Sequence, residues 1–133
     1  MKSYDDVFKT PGAVSWTELM TSDPKAACEF YGKLFGWKTE TMDMGTGPYN
    51  VIKVGEAAIG GIMGKPPGTP KDMPSMWGSY VTVANLDETL AAAKKLGGGV
   101  LMEPMEVKTV GRMAVMRDPQ GAALSVIQYS GGG

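Results

Sequence analysis

Two polar side chains interrupt apolar stretches of this sequence, and they are the first candidates for chemistry. Glu18 lies within VSWTELMT, and Ser125 lies within AALSVIQY. A carboxylate inside an apolar strand needs a partner, so Glu18 is a candidate to bind a ligand or to act as an acid or base. The chain has no histidine, so Ser125 lacks the base of a catalytic triad.

The composition is that of an ordinary globular domain with two unusual features. The chain has 133 residues and a formal charge of −1, which gives no reason to expect nucleic acid or a membrane surface as partner. The polar N-terminus and the single Cys28 favour a cytoplasmic protein. The lack of histidine removes most transition-metal sites. The 11 methionines either replace leucine in an ordinary core or adapt a cavity to varied ligands.

The first half of the chain predicts the order strand, helix and three strands. The helix lies in SDPKAACEFYGKLFGW, where Asp23 is a cap, Pro24 suits the first turn and Gly36 ends the helix. An apolar face follows at i, i+3, i+4 and i+7. Its members are Ala27, Phe30, Tyr31 and Leu34. The strands are VSWTELMT before the helix, and WKTETMDM, YNVIKV and AAIGGIMG after it.

The second half repeats this order after a proline-rich segment. The helix is DETLAAAKKLG, and the strands are MWGSYVTV, GVLMEPMEV, RMAVMRD and AALSVIQY. The apolar face of this helix consists of Leu86, Leu90, Ala93 and Leu96. Shifting the sequence by 62 residues aligns the halves. The aligned pairs are Leu19 with Val81, Asp23 with Asn85, Leu34 with Leu96, and Gly36 with Gly98.

This internal repeat predicts the domain organisation. Residues 1–133 form a single domain, with a first module over 12–64 and a second over 76–129. The four prolines of the segment 65–75 predict a linker, because proline cannot donate to a strand ladder. Each half is too small to bury a sheet face well. We therefore expect the halves to pack together, or to be swapped between two chains.

The pattern resembles the vicinal oxygen chelate superfamily, which includes glyoxalase I, extradiol dioxygenases and bleomycin-resistance proteins. The resemblance runs from about residue 12 to 129 and depends on SDPKAACEFYGKLFGW, ANLDETLAAAKKLGG and MRDPQGAALSVIQY. It implies an α+β fold of two βαβββ modules, each a curved half-barrel sheet. Members include lyases, epimerases, dioxygenases, thiol transferases and binding proteins without catalysis, so the fold alone does not give the function.

Metal-dependent members of this superfamily hold a divalent ion through His, Glu or Gln side chains on the first and last strand of each module. The resemblance places three of these positions at Trp16, Gly78 and Ser125. The fourth lies in AAIGGIMG, where Met63 offers a weak thioether. Zinc requires His, Cys or carboxylate ligands, and magnesium or calcium requires clustered oxygens. We therefore expect no metal and no other cofactor.

The same resemblance implies a ligand cavity between the modules. Side chains alternate along a strand, so each metal position shares its face with residues two or four positions away. These are Val14, Glu18 and Met20 beside Trp16, Tyr80 and Thr82 beside Gly78, and Ala123 and Ile127 beside Ser125. An aromatic and apolar wall with few polar groups is typical of a pocket for a small ligand.

Several residues keep alternative interpretations. Trp16 either stacks on a flat or cationic ligand or fills the space of the missing metal. Glu18 either binds a ligand, pairs with a basic side chain such as Lys53 or Arg112, or points outward. Two further aromatics are predicted at the opening, Tyr49 and Trp77, whereas Trp37 is predicted in the core.

The sequence therefore predicts a metal-free cytoplasmic homodimer that binds a small organic molecule, aromatic or cationic, without nucleic acid or membrane partners. The predicted ligand-binding residues are Trp16, Glu18, Tyr49, Trp77, Gly78, Tyr80 and Ser125. No catalytic residue is assigned. The alternatives are a metal-dependent lyase or dioxygenase with non-standard ligands, and an association protein with a filled cavity.

Overall fold

The computed structural model describes residues 4–43, 47–66, 68–107 and 110–130. The elements within these ranges are a 3-10 helix Tyr4–Lys9, β1 Val14–Thr21, α1 Pro24–Phe35, β2 Lys38–Asp43, β3 Pro48–Val54, β4 Ala57–Gly64, β5 Met76–Thr82, α2 Leu86–Lys95, β6 Gly99–Val107, β7 Gly111–Arg117 and β8 Ala123–Tyr129. The predicted α+β class with two βαβββ modules is confirmed. Neither α-helix in these ranges is long and apolar enough to cross a membrane.

The chain divides into two compact units. The first unit comprises residues 16–78, and the second comprises the residues up to Ser15 together with those from Ser79 onward. The boundaries fall inside β1 and β5 rather than in the proline-rich segment 65–75. The described residues of that segment carry no helix or strand.

The first unit is a four-stranded sheet with α1 on one face. Its strand order is β2-β3-β4-β1, with β1 parallel to β4 and the other neighbours antiparallel. The buried core between sheet and helix consists of Leu19, Ile52 and Ile62. Because alternate residues of a strand point to opposite faces, Glu18 and Met20 lie on the face opposite α1.

The ends of α1 follow the local chemistry of the sequence. The carboxylate of Asp23 accepts a hydrogen bond from the backbone N–H of Ala26 at 3.0 Å, and Gly36 ends the helix in the left-handed conformation with φ 78°. Only glycine adopts this conformation at low cost. Both predicted caps are confirmed.

The predicted apolar face of α1 is partly wrong. Phe30 and Leu34 are 58% and 57% exposed, while Ala27, Cys28 and Tyr31 pack against the core. One sheet face contacts a narrower strip of helix than the full i, i+3, i+4, i+7 stripe, and Cys28 takes a place in this strip.

The second unit is also a four-stranded sheet, with α2 on one face. Its strand order is β5-β8-β7-β6, with β5 parallel to β8. Its buried core consists of Leu86, Leu90, Ala114 and Val126. The predicted cap Asn85 accepts from the N–H of Glu88 at 3.0 Å.

Two expectations for the end of α2 are wrong. Leu96 is 79% exposed because it follows the last helical turn instead of packing in it. The left-handed glycine that ends this helix is Gly97, with φ 96°, so the 62-residue alignment with Gly98 is one residue too long here. The second helix is shorter than the first, which shifts its stop.

Candidate functional site

The face of the first unit opposite α1 holds three of the predicted site residues. The strand register places Glu18 beside Gly61, and Gly61 beside Val51. The next row places Met20 beside Met63, and Met63 beside Tyr49. Registered partners point to the same side of a sheet, so these residues form one surface.

A chain of hydrogen bonds joins an indole, a phenol and a carboxylate on this surface. The Nε1–H of Trp16 donates to Oη of Tyr49 at 2.8 Å. The hydroxyl of Tyr49 donates to Oε2 of Glu18 at 2.7 Å. Glu18 is only 7% exposed. A hydrogen bond to a carboxylate in such surroundings is stronger than one between neutral groups. We call these three residues the Trp16–Tyr49–Glu18 chain.

The structure bears on two of the alternative interpretations of Glu18, the outward position and the pairing with Lys53 or Arg112. An outward position is wrong, because the side chain is nearly buried. The basic side chains considered as partners pair with other carboxylates: Lys53 with Glu40 at 3.0 Å and Arg112 with Asp87 at 3.3 Å. The phenol of Tyr49 is one partner of Glu18.

Trp77 lies away from the Trp16–Tyr49–Glu18 chain. It packs against the core on the α1 side of the sheet, where its Nε1–H donates to Oη of Tyr31 at 3.2 Å. Its ring centroid lies 6.0 Å from that of Trp37, which packs in the same cluster as predicted. The placement of Trp77 at the opening is therefore corrected: alternation along β5 sends residue 77 to the helix side.

The predicted site residues of the second unit, Tyr80 and Ser125, lie on its face opposite α2, and Gly78 ends the first unit. Tyr80 is beside Ser125 in the register, and Thr82 is beside Ile127. Tyr80 and Thr82 are 8% and 4% exposed. Gly78 is exposed, and a Cβ there would meet no atom within 4 Å. Three predicted residues, Tyr80, Ser125 and Thr82, thus share one surface.

Two residues predicted to face inward are exposed instead. Val14 is 59% exposed, and Ala123 is also exposed. Each lies at the start of its strand, before the parallel pairing that begins at Thr17 in β1 and at Ser125 in β8. Alternation predicts a side, but burial also requires neighbours on that side.

The N-terminal segment covers part of the second unit's surface, which the sequence did not predict. The Oγ1–H of Thr82 donates to the backbone oxygen of Val7 at 2.7 Å. The ring of Phe8 meets the ring of Tyr129 edge-on, with centroids 5.1 Å apart. The hydroxyls of Tyr129 and Ser15 are hydrogen-bonded at 2.7 Å. Burial raises the pKa of Tyr129, and the hydrogen bond to Ser15 partly opposes this rise.

The family-type metal positions do not fit a metal ion. The β1–β4 pair Glu18–Gly61 corresponds to the β5–β8 pair Tyr80–Ser125, so the fourth position falls on Gly61. Glycine offers no side-chain ligand, and the indole N–H of Trp16 can only donate. Among the residues that the structure describes, no three His, Cys, Asp or Glu side chains lie close enough to hold a metal.

Comparison with known proteins identifies the family. The model of the Glyoxalase/Bleomycin resistance protein/Dioxygenase superfamily matches residues 13–126. The chain therefore belongs to this superfamily, and the resemblance inferred from the sequence is confirmed. The fold agrees: a methylmalonyl-CoA epimerase bound to methylmalonyl-CoA and NH4+ has a TM-score of 0.67 at 16% identity, over 92% of this chain and 97% of that one.

Curated relatives share more sequence but are longer. "Putative glyoxylase CFP32" of Mycobacterium tuberculosis is 40% identical over 119 residues, which cover 88% of this chain and 44% of that protein. "Anthracycline biosynthesis protein DauV" of a Streptomyces species, strain C5, is 37% identical over 128 residues, which cover 87% of this chain and 46% of that protein. The chain thus spans less than half the length of these relatives.

Proposed function

We propose that this chain binds a flat, cationic organic molecule on the surface of the first unit that carries Trp16, Tyr49 and Glu18. The observation behind the proposal is the nearly buried carboxylate of Glu18, which is hydrogen-bonded to a phenol that accepts from an indole. This carboxylate lies on the face opposite the first unit's core, which is on the α1 side.

The chemistry of the surface selects the class of ligand. A carboxylate attracts cations and forms charge-assisted hydrogen bonds with ammonium groups, so Glu18 favours a cationic ligand. Indole and phenol rings attract cations on their faces and stack on flat rings. Met20 and Met63 form the adjoining row, and thioether side chains adapt to ligands of varied shape.

One relative supports the choice of a first ligand. The name of the Streptomyces relative refers to anthracycline biosynthesis. An anthracycline combines a flat aromatic ring system with a sugar that commonly carries an amine. This combination matches a surface of aromatic rings beside a carboxylate, so an anthracycline is a suitable probe for this chain.

We further infer that binding needs no metal ion. The four family-type metal positions carry an indole, two glycines and a serine, none of which is a strong ligand. The homodimer and the cytoplasmic location stay predictions from the sequence. Light scattering on the purified chain measures the first: a mass near 14.1 kDa would contradict the dimer.

The proposal is tested by titration of the chain with doxorubicin, whose amino sugar is cationic, followed by fluorescence anisotropy. The neutral aglycone of doxorubicin is the ligand control. We expect doxorubicin to bind at least about ten-fold more tightly than the aglycone, since one charge-assisted contact contributes about 1.5–3 kcal/mol. Addition of EDTA should not change the affinity.

Two variants locate the site. Glu18→Gln should weaken doxorubicin binding by about ten-fold. Glu40→Gln is the matched control, because Glu40 is a carboxylate of the same unit that pairs with Lys53 and is well exposed. Its affinity should stay within about two-fold of the parent. Equal losses in both variants, equal binding of the aglycone, or no binding at all would overturn the proposal.

A further inference from the structure

We propose that Gly61 is a positioning residue: its missing side chain creates the slot in which the ring of Tyr49 lies. The slot holds the Tyr49 hydroxyl between Trp16 and Glu18. The effect of Gly61 on ligand binding rests on the proposed function, whereas its effect on the position of Tyr49 does not. No sequence motif pointed to Gly61, although the Gly-Gly pair inside the strand AAIGGIMG is a signal for a close approach.

The space at Gly61 is filled by the Tyr49 side chain. A Cβ at this position would lie 2.1 Å from Oη, 2.2 Å from Cζ and 2.3 Å from Cε1 of Tyr49. These separations are far below the contact distance of about 3.5 Å between carbon atoms. The phenol therefore lies directly over the α carbon of Gly61.

The strand register explains why the ring reaches this point. Tyr49 is registered with Met63, and Gly61 is two residues further along the same strand on the same face. Diagonal neighbours of this kind are within reach of an aromatic side chain. Gly61 is also registered with Glu18. A ring lying diagonally across Gly61 thus carries its hydroxyl to the neighbouring strand, where Glu18 accepts it.

Backbone conformation does not explain the glycine. Among the described residues, the glycines with positive φ do not include Gly61, so its backbone accepts an L-residue without strain. The neighbouring Gly60 differs, because a Cβ there would lie 2.2 Å from the backbone oxygen of Thr17. Gly60 thus allows close approach of two strands, whereas Gly61 makes room for one side chain.

The consequence for the site is specific. An alanine at position 61 must displace the Tyr49 ring, because the Cβ and the phenol cannot share the slot. Displacement breaks the hydrogen bonds from Trp16 and to Glu18 together. The nearly buried carboxylate of Glu18 then loses the hydrogen bond from the Tyr49 hydroxyl, and such a loss is unfavourable for a buried charged group.

The test is a double-mutant cycle with the variants Gly61→Ala, Tyr49→Ala and the combination of both, beside the parent chain. Two quantities are measured: doxorubicin affinity, and the ¹H–¹⁵N resonance of the Trp16 indole, assigned with Trp16→Phe. Tyr49→Phe gives the resonance of an indole without its phenol acceptor. We expect Gly61→Ala to move the resonance toward the Tyr49→Phe position and to weaken binding about ten-fold.

In the Tyr49→Ala background the same change should have little effect, with affinity within about two-fold, because no ring remains to be displaced. If Gly61→Ala alone does not fold but the combined variant does, the clash with the ring is demonstrated directly. An unmoved indole resonance in Gly61→Ala overturns the inference. So does an equal loss in both backgrounds, or failure of the combined variant to fold when Tyr49→Ala folds.

The outcomes separate this inference from the proposed function. If the indole resonance moves as expected while no variant and no parent chain binds doxorubicin, the positioning role stands and the proposed function fails. If the parent binds and Glu18→Gln weakens binding, while Gly61→Ala changes neither quantity, the proposed function stands and the positioning role fails.

Discussion

The two units of this chain have the same fold, but they differ in what occupies the sheet face opposite the helix. In the first unit that face holds the Trp16–Tyr49–Glu18 chain. In the second unit the corresponding face receives the N-terminal segment, with Val7 bonded to Thr82 and Phe8 packed on Tyr129. A repeated architecture therefore does not imply a repeated site.

The difference begins with one pair of residues. Glu18 beside Gly61 in the first unit corresponds to Tyr80 beside Ser125 in the second. The first pair combines a carboxylate with a glycine that makes room for the phenol of Tyr49, while the second combines a phenol with a small hydroxyl. The aligned strands thus carry different chemistry, although Glu18 and Tyr80 are buried to almost the same extent, at 7% and 8% exposed.

The largest expected effects come from the helix-covered faces, where the units are alike. Ile62 and Leu86 are both fully buried, at 0% exposed. We expect Ile62→Ala and Leu86→Ala each to lower the free energy of unfolding by about 2–5 kcal/mol, because each deletes buried methyl groups and leaves a cavity. Urea denaturation measures both. A loss below about 1 kcal/mol in one variant alone would show that the two cores are not equivalent.

The next prediction separates the two faces opposite the helices. Tyr49→Phe removes a donor from a carboxylate, whereas Tyr129→Phe removes a bond to the neutral hydroxyl of Ser15. We expect a loss of unfolding free energy of about 1.5–3 kcal/mol for Tyr49→Phe and of about 0.5–1.5 kcal/mol for Tyr129→Phe. Both keep the ring, so each is the packing control of the other. A larger loss in Tyr129→Phe than in Tyr49→Phe would contradict the distinction between a hydrogen bond to a carboxylate and one to a neutral hydroxyl.

The N-terminal segment should contribute about as much to the free energy of unfolding as the Tyr49 and Tyr129 hydroxyls, or less. Phe8→Ala should lower the free energy of unfolding by about 1 kcal/mol, through loss of the edge-on contact with Tyr129. Urea denaturation of Phe8→Ala beside the parent chain measures the loss, and an unchanged free energy of unfolding would contradict the prediction.

The smallest expected effect is a pH dependence that belongs to the second unit. Burial raises the pKa of Tyr129 above 10.0, so the unfolded chain loses this proton at a lower pH than the folded chain. The contribution of Tyr129 to the free energy of unfolding is fully present below about pH 10. It is lost as the pH rises toward the pKa of Tyr129 in the folded chain. Stability should therefore fall less steeply between pH 9 and 11 in Tyr129→Phe than in the parent chain. If urea denaturation gives the same change of unfolding free energy with pH in both proteins, this prediction is contradicted.

Local chemistry in the sequence determined the elements and their ends. Asp23 and Asn85 cap helices because their side chains reach N–H groups three residues later, and Gly36 ends a helix because it tolerates positive φ. These helix ends depend on neighbours close in sequence, so residue type predicts them. The inward face of Glu18 followed from the resemblance to the superfamily, combined with alternation along β1.

The tertiary structure alone decided which distant residues meet. The register of β1, β4 and β3 brings Tyr49 to Glu18 across the slot at Gly61. Trp77 belongs to the α1 side instead of the predicted opening, and Phe8 covers Tyr129. The physical reason is that strand pairing and side-chain packing join residues tens of positions apart. The periodicity of a single strand specifies its face but not its partner.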